Sequence, residues 1–485
     1  MTTLPPYPEN KPSGVTWLGE IPLHWTAQRL RTVAEMRVSN VDKIAKDGEL
    51  PVRLCNYTDV YKHDRIRAGM AFMPSTATDS EIERFRLAAG DVLITKDSES
   101  WNDIGVPALV EESADDLISG YHLALLRPIR DRLLGGYLLR ALQSRPVSYQ
   151  FHVEANGVTR YGLSHAAIKA VAIPLPTLPE QAAIVRFLDH FDRRFRRYIA
   201  AKRKLIVLLN EQKQVVIHRA VTRGLDRDVH FKSSGVPWLG DVPEHWDVVR
   251  IVKICRMESG HTPTRANPAH WRDDNDIPWV SLNDTKQLDR VDYIDDTRLH
   301  INELGLQNSS ARLLPPGVVV FTRDANVGKA AITTRPMAVS QHLIAWVCGP
   351  RIDNRYLLRV VYAMKAELAS LTFGATIPTI GMDDIRKMVT PVPPLEEQVA
   401  IAAFLSSYCE RLDRAVATVR ADVDALVEYR TRLIADVVSG KLDVRDAAAR
   451  LPDDIDEPLD EPEQRGDDGE PGEEANLSVA DEAVA

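Results

Sequence analysis

The stretch of this chain that comes nearest to a phosphate-binding loop is RDANVGKAA, in which Gly328 directly precedes Lys329. Phosphate binding by a P-loop needs another glycine five residues before Gly328 and a serine or threonine directly after the lysine. Arg323 and Ala330 occupy those two positions. The sequence therefore predicts no nucleotide phosphate site of this type.

Other residue types that commonly perform catalysis are scattered. The thirteen histidines are dispersed, and the four cysteines form no C-x-x-C pair and have no histidine at metal-ligand spacing. The chain has no glycine-rich cofactor fingerprint, no G-x-S-x-G elbow, and neither the Asp-Pro-Pro-Tyr nor the Asn-Pro-Pro-Phe sequence of an amino-methyltransferase. We therefore expect free thiols, no metal ion and no catalytic residues. Any chemistry would belong to another chain.

The feature that must organise the chain is a repeat with a period of about 220 residues. Ser13–Leu30 and Ser234–Ile251 are identical at ten of eighteen positions and share the opening S-G-V-x-W-L-G-x-x-P-x-H-W. Val171–Leu188 and Met388–Leu405 are identical at nine of eighteen positions and share the bridge P-x-P-x-L-x-E-Q. So long a period indicates duplicated domains and not a solenoid of small units.

Shorter matches stay in order between these anchors. GDVLITKD in the first half faces GVVVFTRD in the second, SGYHLALL faces VSQHLIAW, and GVTRY faces GATIP. Short β-rich runs separated by turn residues alternate here with helical stretches such as Tyr137–Gln143. The pattern predicts an α+β domain that occurs twice. The tryptophans of the openings are expected to pack a bent loop onto each core, with a ligand or partner pocket as the alternative.

Each half ends in about 40 residues without internal proline or glycine, Glu180–Arg223 and Glu396–Ser439. Apolar residues in both stretches advance by alternating steps of four and three, which indicates a heptad seam. A helix with so narrow an apolar stripe needs a partner, and the other copy is the obvious one. The predicted seam positions are Ile184, Leu188, Phe191, Phe195, Tyr198, Lys202, Leu205, Leu209, Gln212 and Val216, and Ile401, Leu405, Tyr408, Leu412, Ala415, Val419, Asp422, Leu426, Tyr429 and Leu433.

Two polar residues, Lys202 and Asp422, stand in this predicted seam. Polar residues at such positions lower stability but restrict the register of the pairing. An antiparallel arrangement could bring the two side chains together. At 1.5 Å per residue, each helix would run roughly 60 Å.

Charge is unevenly distributed along the chain. The net charge is −9, but residues 451–485 carry fourteen acidic residues and one arginine, which leaves +4 for residues 1–450. Because the acidic end has few large apolar side chains, we expect it to be disordered. The basic run Arg193–Lys204 is interpreted as a solvated helix surface, with contact to phosphate or to an acidic partner as the alternative.

The apolar runs are all far shorter than the roughly 20 residues that span a bilayer. The N-terminus shows neither the basic nor the apolar region of a secretory signal. We therefore expect a cytoplasmic protein with no membrane partner.

Taken together, the doubled openings and doubled bridges resemble the specificity subunit of type I restriction–modification systems. The bridges contain Gln181 and Gln398, each leads into a long helix, and the resemblance covers about residues 10–445. The fold class it implies is α+β, with two tandem-duplicated α/β target recognition domains separated by two long antiparallel coiled-coil helices. Each domain would read one half of a bipartite, asymmetric DNA site.

The resemblance also implies a division of the chain into domains. The acidic end lies outside the pattern expected of the family, and we assign it no function. The expected parts are an N-terminal extension (1–12), a first target recognition domain (13–178), a central conserved spacer helix (179–223), a second target recognition domain (224–395), a distal conserved spacer helix (396–440) and an acidic disordered tail (446–485).

The same resemblance implies a subunit that is not catalytic by itself and holds no cofactor. It would bind double-stranded DNA, two methyltransferase subunits and restriction/translocase subunits, while its helices set the spacer between the half-sites. S-adenosylmethionine would belong to the methyltransferase subunits, which methylate adenine. ATP and Mg²⁺ would belong to the translocase–nuclease subunits.

Recognition of bases needs polar side chains that reach groove edges from loops. We selected polar residues that cluster beside glycine or next to a predicted strand end. Those that recur in GDVLITKD and GVVVFTRD are also open to interpretation as shared scaffold, because residues that discriminate bases should differ between the halves. The candidates are Lys96, Ser98, Asn102, Arg160 and Tyr161 in the first half, and Arg323, Asn326, Lys329 and Thr376 in the second.

Two other interpretations remain open at this point. A duplicated coiled-coil scaffold that binds other proteins would contain the same repeat without DNA specificity. It would not bind duplex DNA even with its partners present. An enzyme with an unrecognised site is disfavoured by the missing motifs.

Overall fold

The computed structural model describes residues 4–271, 277–374 and 377–452. These residues form two compact units. The first unit contains the described residues up to Arg203 and those from Arg420 onward, and the second contains those from Lys204 to Val419. Each unit therefore combines one half of the repeat with segments of both long helices.

The strands of the first half are short, and the central ones are built from buried aliphatic residues. They are β1 (Asn10–Pro12), β2 (Glu20–Pro22), β3 (Thr26–Arg29), β4 (Ala34–Val38), β5 (Leu50–Cys55), β6 (Arg65–Ile66), β7 (Met73–Ala77), β8 (Val92–Thr95), β9 (Asp97–Ser98), β10 (Pro107–Val110), β11 (Leu117–Ser119), β12 (Leu123–Pro128), β13 (Tyr161–Gly162) and β14 (Ala172–Leu175).

The strands of the second half follow a closely similar sequence of lengths and burial. They are β15 (Phe231–Ser233), β16 (Asp241–Pro243), β17 (Asp247–Arg250), β18 (Cys255–Ser259), β19 (Ile277–Val280), β20 (Tyr293–Ile294), β21 (His300–Ile301), β22 (Val319–Thr322), β23 (Ala330–Thr333), β24 (Ala338–Val339), β25 (Leu343–Cys348), β26 (Thr372–Phe373), β27 (Thr379–Ile380) and β28 (Val389–Val392).

Most helices are short, and two are very long. Short 3₁₀ turns also occur at Ile251–Lys253, Pro268–Trp271 and Leu282–Asp284. The α-helices are α1 (Leu30–Val33), α2 (Tyr57–Lys62), α3 (Asp79–Phe85), α4 (Gly135–Gln143), α5 (Arg145–Glu154), α6 (His165–Ala170), α7 (Leu178–Arg223), α8 (Thr285–Leu288), α9 (Glu303–Gln307), α10 (Asn354–Ala363), α11 (Lys365–Ser370), α12 (Met382–Lys387), α13 (Leu395–Val438) and α14 (Arg445–Ala449).

Each half builds a five-stranded sheet with the same strand order. The order is β4-β12-β8-β10-β6 in the first half and β18-β25-β22-β23-β20 in the second. Neighbouring strands are antiparallel, except that β10 pairs with β6, and β23 with β20, in parallel. A three-stranded sheet accompanies each, β11-β5-β7 and β21-β19-β24. The repeat in the sequence is therefore a repeat of topology, as the doubled α+β domain predicts.

The histidine and second tryptophan of each opening anchor the start of the following long helix. In the first unit, His24 Nε2 lies 2.8 Å from Glu180 Oε1, and the indole of Trp25 donates to the same carboxylate oxygen. In the second unit, His245 and Trp246 make the equivalent contacts with Glu397. Trp25 and Trp246 are fully buried. The second tryptophan of each opening thus packs as expected, whereas Trp17 in the first opening is 46% exposed and does not.

The glutamine of each bridge ties the long helix to the domain before it. The fully buried side chain of Gln181 accepts from the backbone N–H of Leu134 and donates to the carbonyls of Arg132 and Pro176. Its equivalent Gln398 accepts from Asp353 N–H and donates to the carbonyls of Arg351 and Pro393. Only a side-chain amide supplies both donors and an acceptor, which explains why glutamine occurs in both copies.

Both long helices end at a glycine in the left-handed region, a common way to stop a helix. Gly224 has a φ of +74° and Gly440 a φ of +76°. A Cβ on Gly440 would lie 2.3 Å from the Pro22 ring, so this end of the helix packs tightly beneath the first opening. A Cβ on Gly224 would lie 3.1 Å from Trp246 in the second opening.

The predicted antiparallel pairing of α7 and α13 is confirmed within each unit. In the first unit, the Phe195 and Tyr429 rings lie 5.6 Å apart, and Lys202 Nζ lies 2.7 Å from Asp422 Oδ2. The expected approach of these two polar residues is therefore confirmed. In the second unit, Lys213 Nζ lies 2.7 Å from Asp413, and Gln212 donates to the Tyr408 hydroxyl. In the first unit, the partner number falls along α13 from Tyr429 to Asp422 as the number along α7 rises from Phe195 to Lys202.

The predicted seam needs correction at eight of its twenty positions, where the next residue along the helix is the more buried one. Tyr198 and Leu205 are 54% and 42% exposed, whereas Ile199, directly after Tyr198, is buried. The same shift of one residue occurs in α13. The inward positions are Asp192, Ile199, Ile206 and Lys213 in α7 and Cys409, Val416, Val423 and Arg430 in α13, in place of Phe191, Tyr198, Leu205, Gln212, Tyr408, Ala415, Asp422 and Tyr429. Polar residues such as Asp192 and Lys213 lie among the inward positions, so the apolar pattern alone did not fix the phase of the seam.

Two of the predicted boundaries need correction. The expected N-terminal extension is part of the first unit, since β1 pairs with β2 and Tyr7 is buried. The expected disordered tail begins too early at residue 446, because α14 includes residues 446–449 and buries Ala448. The acidic residues beyond 452 lie outside the described residues.

Candidate nucleic-acid interface

The candidate residues of the first half meet where β8 ends. Lys96 Nζ lies 3.1 Å from Asp97 Oδ2, and His122 Nδ1 lies 2.8 Å from the same oxygen. The backbone N–H of Lys96 donates to His122 O, which fixes the start of β12 beside it. Burial alone would raise the pKa of Asp97, but the hydrogen bonds from His122 and Lys96 outweigh it and lower that pKa.

The loop after this cluster carries the next candidates. Ser98 pairs with Tyr161 in the β9–β13 ladder, so these two candidates lie together. Asn102 Oδ1 accepts a 2.5 Å hydrogen bond from Ser100 at the tip of the loop. Arg160 is exposed directly before Tyr161. The structure therefore brings Lys96, Ser98 and Tyr161 into one neighbourhood, with Asn102 and Arg160 at its edges.

Exposed aromatic residues adjoin this loop and were not selected from the sequence. Trp101 is 52% exposed, and its ring lies 6.3 Å from that of His152. Tyr149 is 45% exposed and lies 5.6 Å from the same histidine ring. A tryptophan within the polar run DSESWND is the signal that a sequence search could have used.

The second half repeats the cluster where β22 ends. His342 Nδ1 lies 2.7 Å from Asp324 Oδ2, and Arg323 Nε lies 3.4 Å from the same oxygen. The backbone N–H of Arg323 donates to His342 O. Arg323 Nε also donates to the carbonyl of Gln341. Lys96 and Arg323 thus occupy equivalent places beside an aspartate–histidine pair, which favours the interpretation that part of this cluster is shared scaffold.

The remaining candidates of the second half lie in the β22–β23 turn. The carbonyl of Asn326 accepts from Thr322 Oγ1, and Lys329 Nζ lies 2.5 Å from Asp289. Ala325 has a φ of +60°, unusual for a residue with a Cβ, so the turn holds a strained conformation. Arg323, Asn326 and Lys329 are therefore close in the fold. Thr376 lies outside the described residues.

Part of the basic run Arg193–Lys204 of α7 forms ion pairs within the protein. Arg196 bonds to Asp64 and Asp192, and Arg430 Nε lies 2.5 Å from Asp192. The fully buried Arg140 also contacts Asp192, at 3.1 Å. Arg196 therefore fits neither of the two interpretations proposed for this run.

A cavity of about 350 Å³ with a mixed polar and apolar lining opens beside this network in the first unit. Its lining includes Asn102, Asp103, His152, Arg196 and Arg203. The equivalent region of the second unit contains Tyr362, whose hydroxyl donates to the Ala330 carbonyl. Among the described residues, no group of three or more His, Cys, Asp and Glu side chains is arranged to hold a metal ion.

The architecture defines a tandem recognition-domain protein, in which two α+β domains of one topology are each followed by a long helix and the two helices pair antiparallel. The model of the type I restriction modification DNA specificity domain matches residues 33–206 and 243–417. The chain belongs to this family, the specificity subunits of type I restriction–modification systems.

Named relatives show how far the similarity extends. A Methanocaldococcus jannaschii protein, provisionally named the specificity subunit of type I restriction enzyme MjaX, is 24% identical over 440 residues, which cover 89% of this chain and 96% of that protein. The EcoKI specificity subunit of Escherichia coli K12 is 23% identical over 210 residues, 42% of this chain and 44% of that protein.

One solved structure, from work on the complex assembly and conformational transition of the type I R-M system, contains a chain of the same fold. It aligns with a TM-score of 0.67 at 19% identity and covers 87% of this chain and 99% of that one. Within the part of the chain that the structure describes, no helix is both long and apolar enough to cross a membrane.

Proposed function

We propose that this chain is the DNA-recognition subunit of a type I restriction–modification complex and that each of its two domains reads one half of a bipartite, asymmetric site. The observation that carries this proposal is the presence of two specificity domains with one topology but different loop residues. Two different readers on one chain can recognise two different half-sites. The DNA site then need not be palindromic.

The target recognition domains are assigned to residues 13–178 and 224–395, and the spacer helices to residues 179–223 and 396–440. This assignment is supported by the bridging glutamines, Gln181 and Gln398, which each fasten a helix to the domain before it. The helices would set the separation of the half-sites. A separation near one helical turn of DNA, about 34 Å, suits a protein that meets one face of the duplex.

The DNA contacts are assigned to the loops at the ends of β8 and β22 and to the matched segments GVTRY and GATIP. Both loops place a cationic side chain beside polar groups, and such groups provide phosphate contacts and base contacts. The proposed contact residues are Lys96, Ser98, Asn102, Arg160 and Tyr161 in the first domain, and Arg323, Asn326, Lys329 and Thr376 in the second.

The chemistry would reside in partner subunits, and this chain would be non-catalytic. Two methyltransferase subunits would bind S-adenosylmethionine and methylate adenine. Restriction/translocase subunits would use ATP and Mg²⁺. The assembled complex would act on double-stranded DNA in the cytoplasm.

The test is to map N6-methyladenine across a host genome that carries the methyltransferase gene with and without the gene for this chain. We expect a two-part motif with a fixed spacer to be methylated only when this chain is present. A protein-binding scaffold without DNA specificity would leave the methylation pattern unchanged, and that result would contradict the proposal.

A further inference from the structure

The two clusters at the strand ends share an aspartate–histidine pair and a cationic residue, and they differ most at the position directly before the histidine. Lys96, Asp97 and His122 have the equivalents Arg323, Asp324 and His342. The residue directly before the histidine differs, since it is tyrosine in the first half and glutamine in the second. Groups common to both halves cannot distinguish two different half-sites. A differing side chain held by a common scaffold can.

In the second half, the scaffold fixes the orientation of the glutamine side chain. The Asp324 carboxylate can only accept, so His342 Nδ1 carries a proton, and in an imidazole ring with a single proton Nε2 is then an acceptor. Gln341 Nε2 lies 3.3 Å from His342 Nε2 and therefore must present its N–H. The amide oxygen then faces Thr262, whose hydroxyl donates to it at 2.6 Å.

These two bonds use only part of the amide's capacity. A glutamine side chain has two N–H donors and an oxygen with two lone pairs. Among the described residues, His342 takes one donor and Thr262 takes one lone pair. One donor and one acceptor remain on a side chain that is partly exposed. That pair of groups matches the N7 acceptor and N6 donor of adenine in the major groove.

In the first half, a tyrosine stands beside the equivalent aspartate–histidine pair. The Tyr121 ring lies 3.6 Å from the His122 ring and is 37% exposed. A phenol offers one hydroxyl and an aromatic face, so it cannot present the paired donor and acceptor of an amide. The two halves therefore hold chemically different groups at one equivalent point of the fold.

We propose that Gln341 is a specificity-determining residue that reads an adenine in the half-site of the second domain, and that Asp324 and His342 are positioning residues that set its amide. This inference rests on the proposed function. It adds to that function the identity of one base-contacting residue and of the base that this residue recognises.

The first test maps N6-methyladenine motifs made by the full complex with its methyltransferase subunits. For Gln341→Ala, we expect one A·T position of one half-site to become degenerate, while the other half-site and the spacer stay unchanged. The matched control is Gln307→Ala, an exposed glutamine of the same domain on α9, which should leave the motif unchanged. An unchanged motif for an active Gln341→Ala complex would overturn the inference.

The second test measures binding of the wild-type complex to duplexes in which each adenine of the second half-site is replaced in turn by 7-deazaadenine, which lacks N7. We expect a loss of about tenfold or more at one position, the usual scale for a good bidentate contact. The Gln341→Ala complex should be insensitive to that replacement. Equal wild-type affinity for all these duplexes would overturn the inference, even if the variant failed to assemble.

A separate variant tests the positioning role of Asp324. Asp324→Asn no longer fixes the proton on His342 Nδ1, so discrimination at that one base should fall while discrimination at other positions is retained. Equal loss of affinity for every sequence would indicate a structural role only and would contradict the positioning role. If the wild-type complex showed no motif at all, the proposed function itself would fail, and the two failures are therefore distinguishable.

Discussion

At the scale of single residues, Asp192 is a buried carboxylate surrounded by arginines. Its side chain is 7% exposed, and it lies 3.1 Å from Arg140, 3.1 Å from Arg196 and 2.5 Å from Arg430. Burial opposes its ionisation, but Arg140, Arg430 and Arg196 outweigh burial and hold the pKa of Asp192 far below its usual range. Removing one member of such a network leaves the other charges uncompensated.

Replacement of Asp192 by asparagine should therefore lower the free energy of unfolding by about 3–5 kcal/mol. Chemical denaturation of the purified protein measures this change, as the free energy of unfolding obtained from the first unfolding transition. The matched control is Cys409→Ala, at the equivalent inward position of α13, which removes no charge and should cost much less. Similar losses for the two variants would show that packing and not charge holds this site.

The pH dependence of the same variant has a definite sign. Because the pKa of Asp192 is lowered on folding, its ionisation stabilises the protein above the unfolded-state pKa of about 3.9 and loses that effect as the pH falls further. Wild type and Asp192→Asn should therefore differ in stability by a constant amount near neutral pH. The difference should narrow below about pH 4, and a gap that widened there would contradict this reasoning.

Sequence reasoning reached the right loops but not the individual contacts. Lys96 and Arg323 were selected because they follow predicted strands, and both lie at the ends of such strands. Gln341 was passed over because its orientation depends on Asp324 and Thr262, which are distant in the sequence. Asp192 was passed over because a carboxylate is an improbable core residue until its arginine partners are known.

At the scale of elements, the long helices show which features periodicity can predict. The pairing followed from two equivalent heptad stretches, whereas its antiparallel direction was implied by the family resemblance. The phase failed by one residue at alternate positions, since apolar residues such as Phe191 and Tyr198 flank the inward Asp192 and Ile199. A hydrophobic pattern alone cannot separate a seam residue from its neighbour when the seam is partly polar.

The Lys202–Asp422 ion pair provides a test of the helix register. Lys202→Asp would place two carboxylates together and should destabilise the protein by up to about 1 kcal/mol, the range for a partly exposed pair. The double variant Lys202→Asp with Asp422→Lys restores opposite charges and should recover most of that loss in thermal unfolding.

The second ion pair of the helices supplies a mismatched control. Lys213 pairs with Asp413, so Asp422→Lys should not rescue Lys213→Asp. If it rescued both lysine variants equally, the recovery would reflect net charge and not the register of α7 against α13.

At the scale of the whole molecule, the duplication was evident from the sequence because its anchors perform identical structural work in both copies. Glu180 and Glu397 each hold a histidine and a tryptophan, and these constraints preserved the motifs. The segments between the anchors diverged, so only the order of their matches was informative. Boundaries were harder to predict, because burial of Tyr7 and Ala448 depends on tertiary packing.

If the helices set the spacer, lengthening both of them should change the DNA site. Inserting four residues into α7 after Arg203 and four into α13 before Arg420 adds roughly 6 Å to each helix. We expect the methylated motif to keep both half-sites and to gain one or two base pairs between them. Insertion into α7 alone is the control and should impair assembly, since it breaks the pairing with α13. A motif with the original spacing would contradict a role for helix length.

The glutamate–glutamine anchors have an evolutionary consequence. At these anchors each domain meets its own helix through the same hydrogen bonds, and the loops proposed to contact DNA lie on other segments of the chain. Genetic recombination between the repeated openings and bridges would therefore exchange one domain for another while leaving these anchoring hydrogen bonds intact. A host could gain a new DNA recognition specificity through such an exchange, without changes in the partner subunits of the complex.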